Sequence, residues 1–174
     1  SSFEMGDESE AEKILEKALA VSNSELPVAL IRARLHVQAE RYEDAINILK
    51  PIDIKMPRQP AVLDLMHHIY IAQKNWRALE ELFPVMRKAK VLSNVEFDEL
   101  EILLATEKMH VHSAQTKALL IAERLPTLQK LWKSFSRSLQ KQPAVILAYA
   151  RALAENYQDQ EAEVIVRKAL GNQW

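Results

Sequence analysis

The sequence predicts an all-α fold, an α-solenoid of helix–turn–helix repeats, and three observations carry that expectation. Only Gly6 and Gly171 are glycine among 174 residues, where average usage of about 7% would give roughly twelve. Tight β-turns, phosphate-cradling loops and dinucleotide fingerprints all draw on glycine for positive φ, so none of them is expected. Alanine, leucine, glutamate, lysine and glutamine, the strongest helix formers, dominate instead. Finally, the apolar pattern repeats at a fixed interval.

That interval is 34 residues. Ala11, Ala45 and Leu79 are spaced by it, as are Leu15, Leu49 and Phe83, and again Ala18, Ile52 and Met86. Tyr42 and Trp76 share the same spacing. Thirty-four is the tetratricopeptide period, one helix–turn–helix per repeat. The small–x3–large–x2–small spacing places these residues on one face of the second helix of each unit. Small residues there let paired helices approach closely, and larger ones fill the groove between units. Stacked right-handedly, such units form a superhelix.

Taken in order, the elements begin with a leading helix at 8–21, a second helix without its first. Repeat 1 (26–59) holds helices at 27–39 and 43–51, and repeat 2 (60–92) holds helices at 60–73 and 76–89. Pro57 and Pro60 lie between these units, where proline ends one helix and opens the next. Repeat 3 (93–142) is enlarged and irregular: Ser93 with Glu96 reads as a capping box for a helix at 94–109. Residues 110–125 read as extra helix, either a continuation of this one or a short separate piece mapped at 113–124, and Pro126 starts another at 127–139. Repeat 4 (143–174) opens on Gln142-Pro143-Ala144-Val145, which repeats Gln59-Pro60-Ala61-Val62. Its helices are expected at 143–155 and 158–170, the whole forming one domain.

Composition also excludes function classes. Without cysteine there is no disulfide, thiolate nucleophile, Cys-type zinc site or Cys-ligated cluster. A net charge of −1 argues against a broad nucleic-acid face, which needs a marked basic excess. No apolar run approaches the roughly 18–20 residues that span a bilayer. The chain begins mid-pattern and stops at Trp174 where another segment would start, which reads as a fragment of a longer protein.

Several stretches resemble HemY-type tetratricopeptide proteins. They include Ala33-Arg34-Leu35, Tyr42-Glu43-Asp44-Ala45, Asn75-Trp76-Arg77-Ala78-Leu79, Leu131-Trp132-Lys133 and Ala148-Tyr149-Ala150-Arg151-Ala152-Leu153. Arg32 and His67 depart from the repeat pattern, standing where leucine and a small residue are usual. The resemblance implies membrane helices followed by a tetratricopeptide domain on the cytoplasmic side of the bacterial inner membrane. It also implies an association with late protohaem synthesis, without catalytic activity of its own.

In stacked hairpins the first helix of each unit lines the binding surface. The period puts Leu30, Arg34, Val37 and Gln38 there from repeat 1, Asp64, His68 and Ile71 from repeat 2, and Leu147, Arg151 and Glu155 from repeat 4. Arg34, His68 and Arg151 occupy one repeat position, a column able to hold a carboxylate, a peptide C-terminus or a porphyrin propionate. The competing reading is that Arg34 and Arg151 pair with nearby acids such as Asp64 and Glu155. His67 and His68 are adjacent, so on a helix they point about 100° apart and are poorly placed to share an ion. His110 and His112 also diverge on a helix, though a loop could bring them together. No catalytic or metal site is expected: Ser134, Ser136 and Ser138 lack a nucleophile's setting, and Trp76, Trp132 and Tyr70 read as core.

The function expected is thus a non-catalytic scaffold that binds proteins or peptides, late haem-synthesis enzymes among them, without a cofactor. A direct haem- or porphyrin-handling protein is the alternative, and an unrecognised enzyme a third. Membrane attachment through a preceding segment and a homodimer through the end helices complete the expectation.

Overall fold

The computed structural model describes residues 9–14 and 25–171. Residues 9–14 are helical (α1), and the rest of the leading helix expected at 8–21 lies outside the described residues. All secondary structure among the described residues is helical, consistent with an α-solenoid class. The chain divides into two compact units, Ser1–Ser93 and Asn94–Trp174, the division falling where the enlarged repeat begins. No described helix is long and apolar enough to cross a membrane.

The first unit holds two regular hairpins, α2 (Glu25–Gln38) with α3 (Tyr42–Lys55) and α4 (Pro60–Ala72) with α5 (Trp76–Lys88). Pro60 occupies the first turn of α4, where its missing N–H costs nothing, and the Asn75 side chain accepts from the Ala78 N–H at 3.3 Å to cap α5. Expected to stop at residue 51, α3 instead runs through Pro51 to Lys55. Pro51 removes only the N–H that would meet the Asn47 carbonyl, and both residues are exposed. Pro84 sits inside α5 in the same way. The periodic columns form the core: Ala45, Leu49, Ile52, Leu79 and Met86 are buried, with Phe83 half-buried.

Each hairpin closes without glycine. Glu40, Lys74 and Tyr157, each two residues past a first helix, adopt φ of 59°, 54° and 63°. Around each, the next residue's N–H reaches back to the last turn: Arg41 to the His36 carbonyl, Asn75 to Tyr70 and Gln158 to Leu153, at 2.8 to 2.9 Å. This is the Schellman closure with its left-handed residue. Lys90 (φ 54°) ends α5 likewise, the Val91 N–H reaching the Met86 carbonyl. Scarcity of glycine therefore does not remove tight turns; charged and aromatic residues fill positions where the left-handed conformation costs an L-residue about 1–2 kcal/mol.

The second unit departs from the sequence expectation. The helix expected at 94–109 continues to Thr116 as α6 (Asn94–Thr116), and the stretch expected as a helix at 113–124 is divided between the end of α6, a turn at 117–120 and the start of the next helix. Nothing between residues 109 and 113 breaks it, since Ser113 is buried and the stretch has neither glycine nor proline. Pro126 does not start a helix but lies inside α7 (Ile121–Ser134) on an exposed position. A single turn, α8 (Arg137–Gln140), is capped by Ser136, whose Oγ accepts from the Leu139 N–H at 3.2 Å. The regular hairpin α9 (Pro143–Glu155) and α10 (Asp159–Gly171) completes the unit. Its core gathers Met109 of α6, Leu128 and Leu131 of α7, and Ala148, Tyr149, Ala152 and Leu153 of α9.

A buried polar join ties α6 to the end of α9. Asn156, fully buried, donates from Nδ2 to the Ser113 carbonyl (3.3 Å), to Ser113 Oγ (3.1 Å) and to the Ala152 carbonyl (2.9 Å). Ser113 Oγ in turn donates to Glu155 Oε2 at 3.0 Å.

Two outcomes follow. Replacing Glu40 or Lys74 by glycine should stabilise the protein by about 0.5–1 kcal/mol each, read as a rise in the urea midpoint; a fall would mean the side chains there contribute more than the backbone strain. Asn156→Ala should cost about 1–3 kcal/mol by removing the buried hydrogen bonds that tie the end of α9 to α6, measured by the same unfolding transition.

Candidate functional site

The first helices α2, α4 and α9 each present a row at the same repeat positions. Arg34, His68 and Arg151 are all exposed, as are Gln38, Leu147 and Glu155. Asp64, Val37 and Ile71 are half-buried. Leu30 is buried and belongs to the core, because its position on α2 turns toward the packing side along with Val28, Ala29 and Ala33. In the first unit α2 and α4 pack against each other, so the Arg34 and His68 rows stand on neighbouring helices. Leu147, Arg151 and Glu155 form the corresponding row on α9 of the second unit.

Neither arginine is engaged by the acids that sequence proximity suggested. Glu155 Oε2 accepts from Ser113 Oγ at 3.0 Å and lies 3.7 Å from Lys117 Nζ, both on α6. The Asp64 carboxylate faces histidines instead, at 3.4 Å from His67 Nδ1 and 3.6 Å from His68 Nε2. Among the described residues, Arg34 and Arg151 make no ion pair or side-chain hydrogen bond, so two solvated guanidiniums are available for an anionic group.

The histidine pair converges more than helix geometry alone suggests. The His67 and His68 rings lie 4.2 Å apart, tilted by 37°, and both reach toward Asp64. Rotamer freedom about χ1 and χ2 undoes the 100° divergence of the backbone. Asp64, His67 and His68 are the one group among the described residues whose ligand atoms lie within 4.8 Å of one another. His67, however, is buried and its Nδ1 lies 2.6 Å from the Asp64 backbone carbonyl, which makes that nitrogen a donor. A cation there would have to displace that proton, leaving His68 and Asp64 as the accessible ligands.

Other histidines and serines serve local structure. α6 runs through both His110 and His112, so they diverge, and the His112 Nδ1 lies 3.2 Å from the Lys108 carbonyl. Arg41 Nε donates to His36 Nδ1 at 2.9 Å, which puts the ring proton on Nε2, 3.2 Å from Glu12 of α1. Ser134 Oγ donates to the Leu131 carbonyl at 2.5 Å. Trp132 stacks on Tyr149 with ring centroids 4.5 Å apart and planes 8° from parallel, and Phe135 meets it edge-on, so the aromatics are packing groups. Burial, with Glu161 adding to it, pushes the Tyr149 phenol up to about 12. Burial also raises Tyr70, aided by Asp53, Glu43 and Glu81.

The Ser113–Asn156–Glu155 join is what sequence reasoning missed. A serine and an asparagine 43 residues apart carry no local signal. Only knowledge that α6 packs on α9 would have paired them.

A tetratricopeptide repeat family model matches residues 2–76. Protein HemY of Escherichia coli (strain K12) is 29% identical over 170 residues, covering 97% of this chain and 41% of that protein. Protein HemY of Shigella flexneri matches with the same identity and coverage. The chain thus spans about two-fifths of the length of these curated relatives. A crystal structure of kinesin light chain nearly identical TPR-like repeats from Podosopora anserina shares 20% identity, with 97% of this chain and 87% of that one covered and a TM-score of 0.40. Together with the 34-residue period, the sequence matches support a HemY-type tetratricopeptide protein.

The Tyr149 environment sets a pH outcome. Its phenol is held at about 12 against 10.0 in the unfolded chain, so the stability it contributes is full below pH 10 and lost as pH rises through about 12. Absorbance at alkaline pH should show a last-ionising tyrosine that Tyr149→Phe removes; an unchanged titration would place the late phenol elsewhere.

Proposed function

We propose that this chain is a non-catalytic scaffold, the tetratricopeptide domain of a membrane-attached protein, which gathers late haem-synthesis enzymes on the cytoplasmic face. The observation that carries it is the exposed first-helix row in each unit, Arg34 with His68 in the first and Arg151 in the second, the two arginines making no ion pair among the described residues. Tetratricopeptide domains generally mediate protein–protein interactions and seldom catalyse. A solvated guanidinium on the first-helix row of each unit suits a partner's carboxylates, which Arg holds in bidentate fashion. The link to haem synthesis rests on the likeness to the HemY proteins.

A second reading, direct porphyrin handling, is favoured by one observation: His68 is exposed on the same face as Arg34, its neighbour on the adjoining helix. An imidazole for the iron and a guanidinium for a propionate would be the required pair.

Both readings are separated by two titrations. Purified late haem-synthesis enzymes, offered singly to the immobilised domain, should bind with about micromolar Kd and lose at least tenfold in Arg34→Glu and Arg151→Glu. In parallel, haem and protoporphyrin are titrated by absorbance and fluorescence. Saturable haem binding lost in His68→Ala, with no enzyme bound, would overturn the scaffold in favour of porphyrin handling.

A further inference from the structure

The carboxylate and two imidazoles gathered on α4 have the chemistry of a cation site. Asp64, His67 and His68 bring one oxygen and two nitrogens within 4.8 Å of one another. Asp64 and His68 are four residues apart, so they reach over the same face of the helix. Their ligand atoms, Asp64 Oδ1 and His68 Nε2, lie 3.6 Å apart. Two ligands on a tetrahedral ion with bonds of about 2.0–2.1 Å stand roughly 3.4 Å apart. The pair therefore needs little movement to close on an ion, and both side chains are open to it, His68 at 60% exposure and Asp64 at 45%.

The surroundings favour this pair over the other histidines. His67 is buried and gives its Nδ1 proton to the Asp64 backbone carbonyl, so it stays outside the coordination sphere. Its ring lies 4.2 Å from that of His68 and restricts the rotamers open to that ligand. No lysine or arginine occurs in α4 to oppose a cation. His36 with Glu12 is a different case: Arg41 Nε donates to His36 Nδ1 at 2.9 Å, which sets a guanidinium charge against the ring. His110 and His112 diverge along α6 and cannot chelate together.

We propose that Asp64 and His68 bind a divalent transition-metal ion of the zinc or copper type, through the carboxylate and the imidazole Nε2, with water in the remaining positions. Imidazole nitrogen beside a carboxylate suits zinc, copper and nickel, and the affinity order places Cu2+ above Zn2+. Calcium requires six to eight oxygens and magnesium an octahedral oxygen set, neither of which one carboxylate supplies. The ion takes the neutral imidazole, so it competes with a proton for Nε2. This site needs neither a partner protein nor a porphyrin, and it stands apart from both readings of the first-helix row.

The test is calorimetric titration of the whole 174-residue chain with Zn2+ and Cu2+ salts, with no haem and no partner present. Zn2+ should bind saturably with a Kd of about 10–100 µM, Cu2+ at least tenfold tighter, and Mg2+ and Ca2+ not at all. His68→Ala and Asp64→Asn should each weaken Zn2+ at least tenfold; circular dichroism checks that the helices persist. Replacing His110 and His112 together by alanine should leave the affinity unchanged, and Arg34→Gln should not weaken it. In histidine ring NMR spectra, Zn2+ should shift the resonance that His68→Ala removes. Binding weaker than about millimolar, or binding that survives both α4 substitutions, would overturn the proposal. So would loss of binding in the His110 and His112 variant or in Arg34→Gln, or a zinc-induced shift confined to other histidines.

Discussion

A lone amphipathic helix cannot bury its own apolar stripe, and closing each hairpin is the constraint from which the rest of this structure follows. The chain must reverse within three residues so that α2 meets α3, α4 meets α5 and α9 meets α10. Ala33, Ala45 and Ala152 mark how near the backbones come, each at most 2% exposed. The left-handed residue at each joint is the geometric condition for that approach. Once the hairpins are closed, the outer columns of one pair become the bed for the next, and the first helices are left with a free side. The exposed first-helix rows are thus by-products of how hairpins close.

Much of this was legible in the sequence because the period is physical. Residues 34 apart do the same job, so Ala45 and Leu79, or Leu49 and Phe83, announce buried positions without any structure. The regular hairpins were placed to within a few residues for the same reason. The end expected at residue 51 and the start expected at Pro126 both missed because a proline on an exposed face forgoes one hydrogen bond and the helix runs on through it. The break mapped between 109 and 113 falls instead at 117–120, for the opposite reason. His110 and His112 look polar enough for a loop, yet Met109, Ser113 and Thr116 on the other side of the same turns are buried.

The candidate site was legible by position and not by partnership. Repeat register told which residues share a row, and most of that row is exposed. It could not tell that Leu30 turns inward, nor that Glu155 is engaged by Ser113 and Lys117 instead of Arg151. Those pairings depend on side chains from helices distant in sequence. The convergence of His67 and His68 on Asp64 was likewise decided by rotamers, which no spacing rule encodes.

The continuous α6 bears on how the protein comes apart. Repeat arrays ordinarily behave as one-dimensional chains, each hairpin coupled only to its neighbours, so they can unravel stepwise from an end. At 23 residues α6 is about 34 Å long, and it packs on both α7 and α9 while its Ser113 is held by Asn156. The second unit is therefore cross-braced, its helices sharing one axle. Such a body melts as a single cooperative block, whereas the first unit, built from two ordinary hairpins, keeps the graded, link-by-link character of a repeat array.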